Sequence, residues 1–537
     1  MPCAPRKTAR PPWTSPASRP STRTRPDRGR PPIQGVHPVY GIDHYIGGSF
    51  SRGSGTRSGP VFNPSTGEEI YRCNYADRAT VDEVAKVAVA AGRAWAAQSQ
   101  TRRLQVIFKM RELVIANIEA LAEITGLEHG KTIDDAKGEI GRAVEALEFA
   151  TNAPQVTKGE YSVNVGGGID TFSIRQPVGV VGCIAPFNFP VMVPLMMGAM
   201  AVAVGNAVVV KPSERVPGAT ALVSELWKKA GLPDGVWNVV NGDAEVVNAI
   251  LEHPSIAAIS FVGSTGVGEY IYQKGCSHNK RVAAYTGGKN HMVVMPDADL
   301  EAAAAAFISA GYGSASQRCM AISLLVAVGD QTADKLRALI VPMVEKLRVG
   351  SYNDKSADFG PLVTAAAKAT VEAAIDRAVA EGAELVVDGR VSVEGRNGFY
   401  VGASLVDNVT TDMQMWKEEI FGPVRGMMRV ASLDEAIEVV NAHEYGNGAV
   451  IFTRNGRAAQ RFYMEVEAGM QGVNVPVPVP VGHHNFGGLR RSKFGDAHMF
   501  GPDAARFYTK MKTISQRWPE PDAALDHAVS MSFPSNG

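Results

Sequence analysis

The sequence predicts an α/β fold: a parallel sheet with helices on both faces, interleaved with a second α/β unit and carrying a β-hairpin extension. Three observations point there. Short uncharged runs bounded by Gly or Pro alternate with amphipathic stretches between residues 178 and 285. A second series of the same kind follows residue 286. Just ahead of the first series, residues 161–174 alternate polar and apolar side chains, as a hairpin leaving the body would.

The chain has 537 residues, too many for one core. Hydrophobic residues are 45% and charged residues 20%, ordinary globular values. Lys+Arg and Asp+Glu both number 54. Residues 1–36 hold eight basic residues, one acid and nine prolines, leaving 46 basic against 53 acidic residues in the remainder. A mildly acidic body argues against nucleic-acid binding. The first 36 residues are too proline-rich for a helix and lack the apolar run of a secretory signal. They read as a disordered tail or an overcalled start, with an organellar transit peptide as the alternative. Five cysteines without a CxxC pair suggest no disulfide framework and no structural zinc, hence a reducing, cytoplasmic setting.

Helical periodicity runs from about 80 to 150, with Val106, Met110, Leu113 and Val114 on one face. Strands follow at 178–184, 207–210, 236–240, 256–262 and 281–285, with helices at 192–204, 218–230, 243–252 and from 266. Residues 176–210 include no charge, long enough for a bilayer, but four prolines and Asn188 interrupt them. They read as buried strands and helix of a soluble core. Later come a small-residue helix at 303–311 and strands at 385–387, 449–453 and 472–481. The alternation outlines a dinucleotide-binding architecture.

Several motifs could carry chemistry. Gly126-Leu-Glu-His-Gly-Lys-Thr132 falls one residue short of a phosphate loop and reads as a helix C-cap. Gly263-Ser-Thr-Gly-Val-Gly268 opens a helix after a strand; it suits a pyrophosphate site or a simple tight turn. Lys211-Pro-Ser-Glu214 ends a buried strand. Its Lys and Glu could hold ribose hydroxyls, the Glu repelling a 2′-phosphate, or Ser213 could be a helix N-cap. Cys319, beside Arg318 and a helix end, could be a thiolate nucleophile or a small core residue. Asn188, in Pro186-Phe-Asn-Phe-Pro190, could donate to an oxyanion or merely turn the chain. His483-His484 lacks further ligands at metal spacing, so no metal site is expected.

Taken in order, these pieces resemble the aldehyde dehydrogenase superfamily over residues 44–518. The motifs are Asn63-Pro-Ser-Thr-Gly67, PFNFP, KPSE, Gly231-Leu-Pro-Asp-Gly235, FVGST, Gly287-Gly-Lys289, QRC, Glu418-Glu-Ile-Phe-Gly-Pro423 and Phe486-Gly-Gly488. Finer features resemble its CoA-acylating methylmalonate-semialdehyde dehydrogenase branch: Phe187, the segments 289–298 and 313–323, and Gly472-Val-Asn-Val-Pro-Val-Pro-Val-Pro480.

The resemblance implies a Rossmann-like NAD-binding domain (42–157 and 178–285) and a catalytic domain (286–480). Oligomerisation strands (158–177 and 497–516) and terminal tails (1–41 and 519–537) complete the plan. It implies Cys319 as nucleophile and Asn188 as oxyanion donor. Phe187, Lys211, Ser213, Glu214, Gly263, Ser264, Gly268, Glu419 and Phe421 would surround NAD, and Arg142, Arg318 and Phe486 the substrate. A homodimer or homotetramer without membrane or nucleic-acid partners is expected.

One position bears on the outcome of the reaction. Hydrolytic members carry a glutamate directly before the xGGK segment as base for water; this chain has Tyr285, then Thr286. The CoA-acylating branch usually has Asn there, followed by Gly-Ala-Lys, so Tyr285 and Gly288 depart from both patterns. A phenol with pKa near 10 is a poor base at neutral pH. Coenzyme A is therefore the expected acyl acceptor, giving propionyl- or acetyl-CoA from methylmalonate or malonate semialdehyde after decarboxylation. The alternative is a hydrolytic NAD-dependent enzyme releasing the free acid.

Overall fold

In the computed structural model, the described residues are 36–37, 41–166 and 168–518. Of the tails read from the sequence at 1–41 and 519–537, residues 1–35, 38–40 and 519–537 lie outside them. Val36–His37, assigned by sequence to the tail, is instead a strand paired antiparallel with Gly41–Ile42.

The first sheet has eight strands. Arg281–Tyr285, Ile256–Val262, Val180–Ile184, Ala207–Lys211 and Trp237–Val239 lie side by side and parallel in that order. Every residue of Val180–Ile184 and of Ala207–Lys211 is buried, which is why these strands read as continuous apolar runs. Their helices are Met192–Ala203, Gly218–Lys229, Ala244–Glu252 and Thr265–Ser277. From Val180–Ile184 the chain steps outward to one side through Ala207–Lys211 and Trp237–Val239. It then returns to the other side at Ile256–Val262. That reversal is a topological switch point, where the carboxyl ends of parallel strands part to form a crevice. His44–Ile46 and Ser49–Ser51 extend one edge antiparallel, and Lys493–Phe494 the other; no alternation in the sequence announced them.

The second sheet has seven strands in the order Glu384–Val387, Ser404–Asp407, Val424–Val430, Ile322–Val328, Asn290–Val294, Gly448–Phe452 and Met470–Val473. All neighbours are parallel except the first pair. Its core centres on Phe307, Leu324, Met427 and Phe462, all fully buried. The strand expected over 472–481 ends at Val473, because Pro476, Pro478 and Pro480 have no N–H to give a ladder.

Residues 80–150 form four helices, Arg78–Ala96, Gln100–Ala116, Ile118–His129 and Ile133–Ala150. The third ends at Gly130, whose φ of +92° is the left-handed C-cap read from the sequence. The hairpin is Tyr161–Gly166 with Ile169–Pro177, and Thr509–Gln516 pairs antiparallel with residues 170–177 of the second strand. The segment 497–516 supplies a strand only there, after the helix Pro502–Phe507. Tyr161, Val163 and Met511 are 58%, 73% and 58% exposed on this three-stranded sheet. No helix among the described residues is long and apolar enough to cross a membrane; the uncharged stretch contributes only the twelve-residue helix Met192–Ala203.

Asn206, fully buried, ties the first sheet to the chain entering the last strand. Its Oδ1 accepts from Gly179 N–H at 2.9 Å, and its Nδ2 donates to the carbonyls of Ala201 and Tyr508 at 3.0 Å each. Asn206→Ala strands one buried N–H and weakens two carbonyls. It should cost about 2 kcal/mol, seen as a lower denaturant midpoint with secondary structure unchanged.

Candidate active site

The carboxyl ends of Val180–Ile184, Ala207–Lys211 and Ile256–Val262 open onto a cavity of about 770 Å³. Of the sequence-predicted residues, Phe187, Asn188, Lys211, Ser213, Glu214, Gly263, Ser264, Cys319, Glu419 and Phe421 line it. Residues from both sheets' connections therefore share one space.

One end is shaped for an anion and a diol. Thr265–Ser277 begins at Ser264, whose hydroxyl makes no capping bond, so the free first-turn amides beside Gly266 and Val267 meet the cavity. Across from them Lys211 Nζ donates to Glu214 Oε2 at 2.9 Å. Burial opposes the Glu214 charge, but the Lys211 ammonium outweighs it and holds the carboxyl below its usual range. An uncapped helix start next to a Lys–Glu pair fits the pyrophosphate and ribose of a dinucleotide. Ser213 is not a helix N-cap: its hydroxyl accepts from Arg215 N–H at 3.3 Å, and the helix starts at Gly218. Gly268 lies outside the lining. A Cβ there would stand 2.2 Å from Thr286 Cγ2, so its part is to let helix and strand pack closely.

The other end holds the sulfur. Ile322–Val328 is preceded by a turn in which Ser314, Ala315 and Ser316 have φ of 57°, 50° and 60°. Three successive left-handed non-glycine residues cost roughly 1–2 kcal/mol each. Asn290 Nδ2 and Asn447 Nδ2 each donate to the Cys319 carbonyl at 2.8 Å. Asn188 Nδ2 donates to Gln317 O at 2.9 Å, which spends one of its two hydrogens and leaves the other free. Burial, with the Glu419 charge second, pushes the Cys319 thiol up to about 12, and the nearby Arg318 does not offset it. Burial also lifts Glu419 to about 7, while its Oε1 accepts from Gly288 N–H at 3.2 Å.

Arg142, Arg318 and Phe486 do not line the cavity. Arg318 is bound by Asp135. Arg142 is held by Glu145 at 2.7 Å and by the Pro480 carbonyl. Phe486 stacks edge-on against Tyr285, centroids 5.6 Å apart. The Tyr285 hydroxyl donates to Phe486 O at 3.0 Å and lies 2.7 Å from His498 Nδ1, and burial raises its pKa. Tyr285 is therefore a strut for the 486 loop and is absent from the lining. His483 and His484 are exposed, and no metal-ligand cluster exists among the described residues.

Sequence reasoning missed Lys131. Its ammonium is fully buried, donates to Glu139 Oε2 at 2.8 Å and to Asn188 O at 2.6 Å, and lies 4.5 Å from the Phe189 ring centroid. Glu139 Oε1 in turn accepts from Val191 and Met192 N–H at 2.9 and 3.1 Å. Nothing in the spacing of Lys131, Glu139 and Asn188 signals this contact.

The thiol value gives a direct measurement. In nucleotide-free protein, iodoacetamide labelling of Cys319, resolved from exposed Cys276 by peptide mass spectrometry, should rise about tenfold per pH unit from pH 7 to 10. Above pH 8 Glu419→Gln should speed it, by removing a negative charge. A rate that levels off below pH 9 would contradict the neutral thiol.

The aldehyde dehydrogenase family profile matches residues 50–514. A malonate-semialdehyde dehydrogenase of Pseudomonas aeruginosa is 52% identical over 496 residues, spanning 92% of this chain and 99% of that one. Malonate-semialdehyde dehydrogenase 2 of Geobacillus kaustophilus is 44% identical, spanning 89% and 99%. Among solved structures, a methylmalonate-semialdehyde dehydrogenase of Oceanimonas doudoroffii superimposes with TM-score 0.88 at 47% identity, covering 90% and 99%. A Sinorhizobium meliloti 1021 structure assigned to the same activity and complexed with NAD gives 0.89 at 48%, covering 90% and 98%. The chain belongs to the aldehyde dehydrogenase family and has the fold of its oxidoreductases.

Proposed function

We propose that the protein oxidises malonate or methylmalonate semialdehyde with NAD and passes the acyl group to coenzyme A with loss of the carboxylate. The observation that carries this reading is the shared cavity: Cys319 and the free N–H of Asn188 stand at one end, and the uncapped helix start and Lys211–Glu214 pair at the other. The names of the relatives at 42–52% identity supply the substrate class.

Lys211, Ser213, Glu214, Gly263 and Ser264 would hold the adenosine and pyrophosphate, and Glu419, with Phe187 and Phe421 beside it, the nicotinamide ribose. NAD, when bound, accepts the hydride from the substrate carbon. The chain's own work is the rest. Cys319 sulfur attacks the aldehyde carbon as the thiolate. Asn188 Nδ2 and the Cys319 amide donate to the oxyanion, each donor worth about 3–4 kcal/mol. After oxidation the acyl group is a Cys319 thioester. The bond between the α-carbon and the carboxylate breaks, its electron pair passing into the thioester carbonyl as an enolate while carbon dioxide leaves. A proton from solvent then adds to the α-carbon, and a CoA thiolate displaces the Cys319 sulfur, which departs as thiolate. Tyr285, tied to Phe486 O, offers no carboxylate to deprotonate water at the position where hydrolytic relatives carry one. Arg318, adjacent to Cys319, and Arg142 would meet the substrate carboxylate, the bidentate partner such a group requires. The exposed strands Tyr161–Gly166 and Thr509–Gln516 would join a second subunit.

Assays of NADH and acyl product with and without CoA test the reading. Turnover should need CoA and yield acyl-CoA; rapid release of free acid without CoA would replace it with the hydrolytic reading. Asn188→Ala should lower kcat by about 10²–10³-fold with NAD binding kept. Tyr285→Phe keeps the ring and loses the hydrogen bond to the 486 loop; aldehyde KM should rise severalfold while NAD affinity stays constant.

A further inference from the structure

A second cavity, of about 490 Å³, lies at the root of the hairpin and shares no lining residue with the first. Four of its wall residues are cations, Arg93, Arg103, Arg175 and Lys510, and none is a carboxylate. They come from three separate parts of the fold: the end of helix Arg78–Ala96, the first turn of helix Gln100–Ala116, and the paired strands Ile169–Pro177 and Thr509–Gln516.

Arg103 sets the character of the space. It is only 7% exposed, and no carboxylate among the described residues pairs with it. Its Nε donates to Ala203 O at 3.0 Å, and its Nη1 to Gln98 O at 2.6 Å and Ala96 O at 3.3 Å. Its Nη2 has no hydrogen-bond partner among the described residues, on a residue that forms the cavity wall. Burying a guanidinium without a counter-charge is costly, and carbonyl dipoles repay only part of that. The same wall contains Gln100, the first residue of its helix, so the positive end of a seventeen-residue helix adds to the four cations. Arg175 is tied only weakly, Nη1 to Thr509 Oγ1 at 3.4 Å, and keeps donors to spare. Leu104 and Ile174 supply an apolar flank.

We propose that this cavity binds a phosphate-bearing organic anion. The phosphate takes the Arg103 Nη2 donors, Arg175 and Lys510, and the apolar body lies along Leu104 and Ile174. A bound anion would link the helices to the hairpin root, and so tie ligand binding to the strands through which the chain would meet a second copy.

The test uses full-length protein saturated with NAD, so that the first cavity is filled. Phenyl phosphate is titrated calorimetrically at fixed chloride, with inorganic phosphate as the comparison. One saturable site per chain is expected, at least about threefold tighter for phenyl phosphate. Arg175→Gln/Lys510→Gln should weaken it about tenfold with NADH formation unchanged, and Arg103→Gln should abolish it. The double variant decides the matter if Arg103→Gln does not fold. Four results would overturn the proposal: no saturable heat, binding seen only without NAD, binding unaltered in the double variant, or loss of self-association in that variant without anion binding by the parent. The last would assign the cations to a contact with a second copy.

Discussion

A single ammonium, Lys131 Nζ, holds the Asn188 end of the site to the rest of the molecule. It fixes the Asn188 carbonyl directly and the following turn through Glu139, which receives the amides of Val191 and Met192. From Asn188 the path continues: its side chain reaches Gln317 O, and Gln317 Oε1 accepts from Val363 N–H at 3.1 Å. The Pro361 ring then packs against Gly130, where a Cβ would meet Cγ at 2.8 Å, next in sequence to Lys131. The circuit closes on itself and passes through one loop of each sheet that borders the cavity. A buried ion pair adds little net stability against an apolar replacement of the same shape, but losing one partner costs about 3–5 kcal/mol. The value of this pair is therefore positional: it sets where one amide hydrogen points.

Burial accounts for the chemistry at the sulfur as well. The surroundings that lift the Cys319 thiol to about 12 and Glu419 to about 7 would, under the proposed function, partly shield an acyl group on the half-buried Cys319. Such an enclosure disfavours attack by an unactivated water more than attack by a thiol, which is the better nucleophile. The hydroxyl of Tyr285 is already committed to Phe486 O, so the enclosure and the missing base act in the same direction.

The central sheet was legible because its strands are buried on both faces. The runs at 178–184, 207–210 and 256–262 match Val180–Ile184, Ala207–Lys211 and Ile256–Val262 to within two residues. The cavity residues were legible where motifs sit at strand ends. What escaped the sequence depends on contacts between distant segments. Lys131 and Asn188 are 57 positions apart, and Tyr285 and His498 are 213. The edge strands His44–Ile46 and Ser49–Ser51 are too short to show a period, and the left-handed run at Ser314–Ser316 uses no glycine to announce itself. The Pro-Val repeat after Val473 misled by composition: its valines favour a strand, but its prolines cannot donate to one.

The placing of Arg318 bears on how a carboxylated aldehyde would be told from a plain one. Asp135, next to it, is partly buried; burial opposes its charge, but Arg318 and Lys131 outweigh this and hold its carboxyl below the usual range. Arg318 is thus already neutralised at rest, as Arg142 is by Glu145. A substrate carboxylate arriving here gains less from raw attraction than from taking up guanidinium donors that Asp135 and Glu145 leave open, since each arginine has five N–H groups in a fixed fork. Both arginines stand outside the cavity lining, so under the proposed function any recognition of the carboxylate would have to work through the donors that Asp135 and Glu145 leave open rather than through net charge.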